Sequence, residues 1–103
     1  MLWWRINATN EVVQSFDGPN GERVEAAQVW ERTAERVYDW LVILRCMDVR
    51  IDYSTMEISA YGVHARRGDW IINHGRRTQS VFEQYRFTVT DGETFERDYT
   101  LRP

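Results

Sequence analysis

Thr33-Ala34-Glu35-Arg36-Val37-Tyr38-Asp39-Trp40-Leu41-Val42-Ile43-Leu44-Arg45-Cys46 decides the fold class. Ala34, Val37, Tyr38, Leu41 and Leu44 recur at i, i+3, i+4, i+7 and i+10, the apolar stripe of an amphipathic helix. Trp40 and Ile43 widen the stripe, which predicts a helix set deep against a sheet. Thr33 is placed to cap it, and Glu35 stands in the first turn, where the helix dipole favours an acid. The spacing predicts an end near Arg45 or Cys46.

On the C-terminal side of this helix the period changes to two. Val49, Ile51 and Tyr53 alternate with Arg50 and Asp52, and Met56, Ile58 and Ala60 alternate with Glu57 and Ser59. Ser54-Thr55 reads as the turn between two strands. Arg67-Gly68-Asp69 is a turn into a strand at Trp70-Ile71-Ile72, and Asn73-His74-Gly75 reads as another turn. Val81–Thr90 has the aromatic and β-branched content of a sheet interior, Asp91-Gly92 turns the chain, and Phe95–Leu101 reads as a last strand. On the N-terminal side, Glu22–Trp30 alternates imperfectly around Val24, Ala26 and Val29. Asp17-Gly18-Pro19-Asn20-Gly21 is a dense turn cluster. Before it, Leu2–Asn7 and Glu11–Phe16 read as strands joined through Ala8-Thr9-Asn10. The expectation is α+β: a curved antiparallel sheet of six to eight strands with one amphipathic helix packed on it, inserted after the third strand.

The 103 residues (43% hydrophobic, 28% charged) fit a single domain over 1–103 and argue against disorder. No run approaches the ~18 apolar residues of a membrane span, and Met1-Leu2-Trp3-Trp4 meets Arg5 too soon to read as a signal peptide. The lone Cys46 forms no intrachain disulfide, which fits a reducing compartment and a small apolar role near the helix end. The net charge of −3 argues against a general polyanion binder, so nucleic acid is not expected. Charge is uneven along the chain. Residues 11–40 are acidic, whereas 64–77 hold Arg66, Arg67, Arg76 and Arg77 against Asp69 alone.

Four segments together resemble the PGDYG-like small proteins of bacteriophages and prophages. Arg23-Val24-Glu25-Ala26-Ala27-Gln28-Val29-Trp30 looks like their first strand and Thr33–Leu41 like their helix. Met56–Arg67 followed by Gly68-Asp69-Trp70-Ile71-Ile72 looks like their central motif, and Phe95-Glu96-Arg97-Asp98-Tyr99 like their closing one. The resemblance covers roughly residues 23–103. It makes 1–21 an N-terminal hairpin extension and 22–103 a family-like core. Asn73–Asp91 departs from the family, being longer and without Pro or Lys. The resemblance implies a phage or prophage setting, hence the bacterial host cytoplasm, and no particular activity.

Candidate chemistry is sparse. Cys46, His64, His74 and Asp69 carry no nucleophile motif, and one Cys with two His ten residues apart match no familiar metal spacing. No glycine-rich phosphate loop follows a strand. No enzyme, cofactor or metal is expected. Arg66, Arg67 and Arg76, Arg77 flank the Trp70–Asn73 strand, where they could face a common anion. Gly68 can supply a positive φ, Asp69 can accept backbone hydrogen bonds in the turn or join the site, and Trp70 plants a ring in the core. Trp3 and Trp4 point to opposite faces of a strand, so one of them suits an interface. The expected function is a small phage-encoded accessory protein that binds a host or phage protein, in host takeover or anti-defence. Trp3, Trp4, Arg66, Arg67, Asp69, Arg76 and Arg77 are the expected contact residues. A binder of a phosphate-bearing small ligand and a virion component, with possible homo-oligomers, are the alternatives; no membrane role is expected.

Overall fold

A computed structural model describes residues 12–76 and 85–102. In chain order they form β1 (Gln14–Asp17), β2 (Arg23–Gln28), α1 (Ala34–Ile43), β3 (Arg50–Asp52), β4 (Glu57–Ala60), β5 (Val63–Ala65), β6 (Trp70–Arg76), β7 (Tyr85–Thr90), α2 (Gly92–Asp98) and β8 (Thr100–Leu101). The fold class is α+β, and every strand pairing is antiparallel. The strands divide between a five-stranded sheet in the order β7-β6-β2-β1-β8 and a three-stranded sheet in the order β3-β4-β5. The expected strand Leu2–Asn7 and its loop lie outside the described residues. β1, from the expected extension, is built into the large sheet between β2 and β8.

The large sheet is covered on both faces at its centre. Ala27, Val29 and Ile71 pack with Ala34, Val37 and Leu41 of α1 and with Ile58, Val63 and Ala65 of the small sheet. The adjacent Ala26 and Ile72 point the other way, joining Phe16, Val24 and Phe95. Consecutive strand residues face opposite sides, so burying both members of Ala26-Ala27 and Ile71-Ile72 needs a layer above and a layer below. That is why the alternation along Glu22–Trp30 is imperfect.

Two expectations are corrected here. Asn73-His74-Gly75 is not a turn but the second half of β6. The register shifts between Asn73 and Arg76, and Gly75 takes φ +97°, a bulge rather than a reversal. The buried Asn73 secures it by accepting the Gly75 N–H on Oδ1 at 2.8 Å. Phe95–Leu101 is not one strand but the last part of α2 followed by the short β8. Asp91 caps α2, its Oδ1 accepting the Thr94 N–H at 2.7 Å. Phe95 and Tyr99 then stand one helical turn apart. Phe95 stacks between Trp70 (centroids 3.9 Å, planes 6° apart) and Tyr99 (4.6 Å, 5°), with Phe16 edge-on to it at 4.8 Å.

Thr33 starts α1 without a side-chain cap bond. Its hydroxyl instead donates to the Gln28 carbonyl at 2.6 Å and accepts the Trp30 N–H at 2.9 Å, tying the helix start to β2. The C-terminus closes as a Schellman motif: Arg45 N–H donates to Val42 O (2.9 Å) and Cys46 N–H to Leu41 O (3.0 Å). Arg45 takes φ +65° at the position that motif usually gives to glycine. A side chain in this conformation costs about 1–2 kcal/mol, of which glycine's extra unfolded-state entropy offsets a part. Arg45→Gly is therefore expected to raise stability by about 0.5–1 kcal/mol, read as a higher urea midpoint at unchanged slope. An unchanged or lower midpoint would contradict it.

Among the described residues no helix is long and apolar enough to cross a membrane.

Candidate functional site

Among the described residues, Arg66 and Arg67 stand before one end of β6 and Arg76 at the other. Arg66 and Arg67 open the turn before β6, and Arg67 is ion-paired with Glu31. Arg76 ends the same strand. Six residue steps at ~3.3 Å put roughly 20 Å of backbone between the ends of β6. Trp3, Trp4 and Arg77 lie outside the described residues.

Asp69 closes the turn. Its Oδ2 accepts the Arg66 N–H at 3.0 Å, and its own N–H donates to the Arg66 carbonyl at 2.9 Å. Gly68 sits at φ +89°. Its N–H donates to Val29 O at 2.7 Å while Val29 N–H donates to Asp69 O at 2.9 Å, continuing the β2–β6 ladder past the strand ends. These contacts give Asp69 a structural task in holding the turn.

The histidines differ in setting. His64 lies in β5. Its Nε2 lies 3.2 Å from Glu57 Oε1 across the β4–β5 pair, on the outer face of the small sheet. The pair borders an open depression with Arg50, Asp52 and Ser59, and the His64 side chain is 60% exposed. Among the described residues no third metal-ligating side chain joins it.

His74 lies in β6, not in a solvated turn, with Nε2 2.7 Å from Thr88 Oγ1 of β7. Burial, and then the Arg86 guanidinium, hold its pKa below the usual histidine value against the opposing charge of Glu22. A depressed folded pKa makes the unfolded chain the better proton acceptor, so this contribution is present above the unfolded pKa and is lost as pH falls through the folded one. Stability is therefore expected to decline as pH falls from about 7 through 6.5 and below. His74→Gln should flatten that part of a urea-midpoint profile. An identical slope in the variant would refute the assignment.

A different surface stands out. The sequence places Tyr38 and Ile43 on the core stripe of α1. In the structure only Ala34, Val37 and Leu41 of the helix are buried. Tyr38 is 36% exposed, Val42 47% and Ile43 75%. Trp40 covers the other shoulder, edge-on to Phe87 of β7 at 5.9 Å. The outer flank thus carries Tyr38 and Val42 one turn apart, with Glu35 and Asp39 beside them, also one turn apart, and Ile43 one turn beyond Asp39.

Two depressions lie beside the helix and beyond its end. Glu35, Tyr38 and Asp39 line a groove with Ile51 and Tyr53 at the end of β3. Beyond the C-terminus of α1, Met47 and Tyr61 line a second depression with Leu44, Cys46 and Phe87. The Tyr61 N–H donates to Met47 O at 2.8 Å and fixes these two segments together. Tyr53, Met47 and Tyr61 are all more than 60% exposed. Burial raises the pKa of the Cys46 thiol, which keeps it protonated and unreactive in this wall.

The signal that would have revealed the strip was present in the sequence. A helix on a sheet needs an apolar stripe only ~100° wide. Residues 40–44 run Trp-Leu-Val-Ile-Leu without a break, more apolar surface than one packing face can bury.

No family model, curated protein or solved structure matches the chain.

Proposed function

We propose that the protein is a non-enzymatic protein-binding module whose contact surface is the outer flank of α1 with the flanking Tyr53, Met47 and Tyr61. The observation that carries this reading is the exposure of Val42 and Ile43 on a helix whose buried residues already anchor it. Scattered exposed apolar residues are ordinary, but here Tyr38 and Val42 stand one turn apart with Ile43 next to Val42 in the chain, and grouped exposed apolar residues mark an interaction surface. Aromatic residues and Met are the types enriched at such interfaces. The resemblance to PGDYG-like phage proteins supports a phage-encoded accessory role in the bacterial host cytoplasm, directed at a host or phage protein.

Affinity capture from phage-infected host lysate tests this reading through three forms of the protein: wild type, Val42→Glu/Ile43→Glu and Arg66→Glu/Arg67→Glu. The expected result is a partner held by wild type and by the arginine variant but lost by the helix variant. Partners lost only with the arginines, or retained by the helix variant, would overturn it.

A further inference from the structure

The groove between α1 and β3 has a chemistry of its own. Its lining is Glu35, Tyr38, Asp39, Ile51 and Tyr53, two carboxylates and two phenol rings with no basic side chain among them. Glu35 and Asp39 stand one turn apart on α1, with Cβ atoms about 5–6 Å apart, so both can reach a single cationic group. Neither carboxylate makes an ion pair or hydrogen bond with another described residue. A like-charge pair at this spacing weakens a helix rather than supporting it. Glu35 gains from the helix N-terminus, but Asp39 sits mid-helix and gains nothing. The nearby Asp52 is already engaged: Ser54 donates to its Oδ1 from the hydroxyl (2.6 Å) and from the N–H (3.0 Å), which holds its pKa below the usual range. Glu35 and Asp39 are thus the carboxylates left facing the groove beside exposed aromatic rings. The groove is open to solvent, so it suits a side chain presented on a partner's surface rather than an enclosed ligand.

We infer that this groove receives a cationic side chain of the protein partner, arginine in preference to lysine, laid across Tyr38 and Tyr53 with its head between Glu35 and Asp39. Charge complementarity selects the cation. The rings select the guanidinium, which is planar, weakly hydrated, and able to stack on an aromatic face while bonding a carboxylate. The inference rests on the α1 flank being the partner surface and specifies the chemistry met there.

The test is titration of the isotope-labelled full chain with N-acetyl tetra-arginine amide, tetra-lysine and tetra-glutamine, followed by NMR shifts. The arginine peptide should shift Glu35, Tyr38, Asp39, Ile51 and Tyr53 saturably, the lysine peptide less, and the glutamine peptide not at all. Glu35→Gln/Asp39→Asn should bind the arginine peptide about tenfold more weakly, the scale of two exposed ion pairs, and added salt should weaken wild-type binding. Equal binding by the variant would overturn the inference, as would shifts spread equally to the acidic α2 residues Glu93 and Glu96. Absence of peptide binding, with Val42→Glu/Ile43→Glu still losing the captured partner, would remove the cation and leave the apolar strip standing. Partner capture unaffected by the helix variant would remove both.

Discussion

Phe95→Ala is expected to cost about 3–5 kcal/mol of stability, the range for deleting a buried aromatic ring. Phe95 is 2% exposed and is the buried residue of α2. Its ring touches three others at once, stacked face to face with Trp70 and Tyr99 and met edge-on by Phe16. Removing it opens a gap between Trp70 and Tyr99 and detaches the helix from the sheet. β8 follows α2 directly and pairs with β1 through Phe16↔Leu101 and Asp17↔Thr100, so the sheet edge is weakened too. Phe95→Leu keeps an apolar plug and should lose markedly less. Urea unfolding followed by the summed fluorescence of the five tryptophans measures both. A loss below about 1 kcal/mol for Phe95→Ala would mean that α2 is not anchored as described.

The second large effect separates the two faces of α1. Leu41→Ala is expected to lose about 2–5 kcal/mol, because Leu41 is fully buried in the core between the large sheet and the small one. Ile43→Ala, two residues on and 75% exposed, should change stability by no more than about 0.5 kcal/mol. Both changes shorten a branched aliphatic side chain to a methyl group, so the contrast isolates burial from chemistry. Their effects on partner binding should be reversed: Ile43→Ala weakens it, while Leu41→Ala leaves the affinity of the folded fraction unaltered. A loss above about 2 kcal/mol for Ile43→Ala would place that side chain in the core and empty the docking surface of its main residue.

Periodicity made much of this fold legible. The stretch from Val49 to Ala60 alternates cleanly because the small sheet buries one face and leaves the other to solvent, and β3 and β4 fall there. The turn at Arg66–Asp69 was legible through Gly68, whose φ of +89° suits glycine. α2 was hidden by arithmetic. Phe95 and Tyr99 are four residues apart, a spacing that suits both one turn of helix and two steps along a strand face. Asp91 with its backbone partner Thr94 was the local sign of a helix start. The bulge in β6 was hidden because Asn, His and Gly are turn formers, and only the pairing partner decides whether they bend the chain or kink it.

The candidate site was less legible, for a different reason. Arginine pairs draw attention in a sequence, but whether they converge depends on strand length and side-chain direction, and the whole of β6 lies between Arg67 and Arg76. Apolar residues on a helix read as core by default. Only the packing shows that Ala34, Val37 and Leu41 suffice and that Tyr38 and Ile43 are left over.

The central claim is that this leftover apolar flank is where a partner sits. Photo-crosslinking in infected host cells tests it directly, with benzoylphenylalanine placed at Ile43 in one variant and at the exposed α2 residue Glu96 in another. The account predicts a discrete higher-mass adduct from position 43 and none from position 96. An adduct from position 96 alone, or no adduct from position 43 in a folded protein, would contradict it.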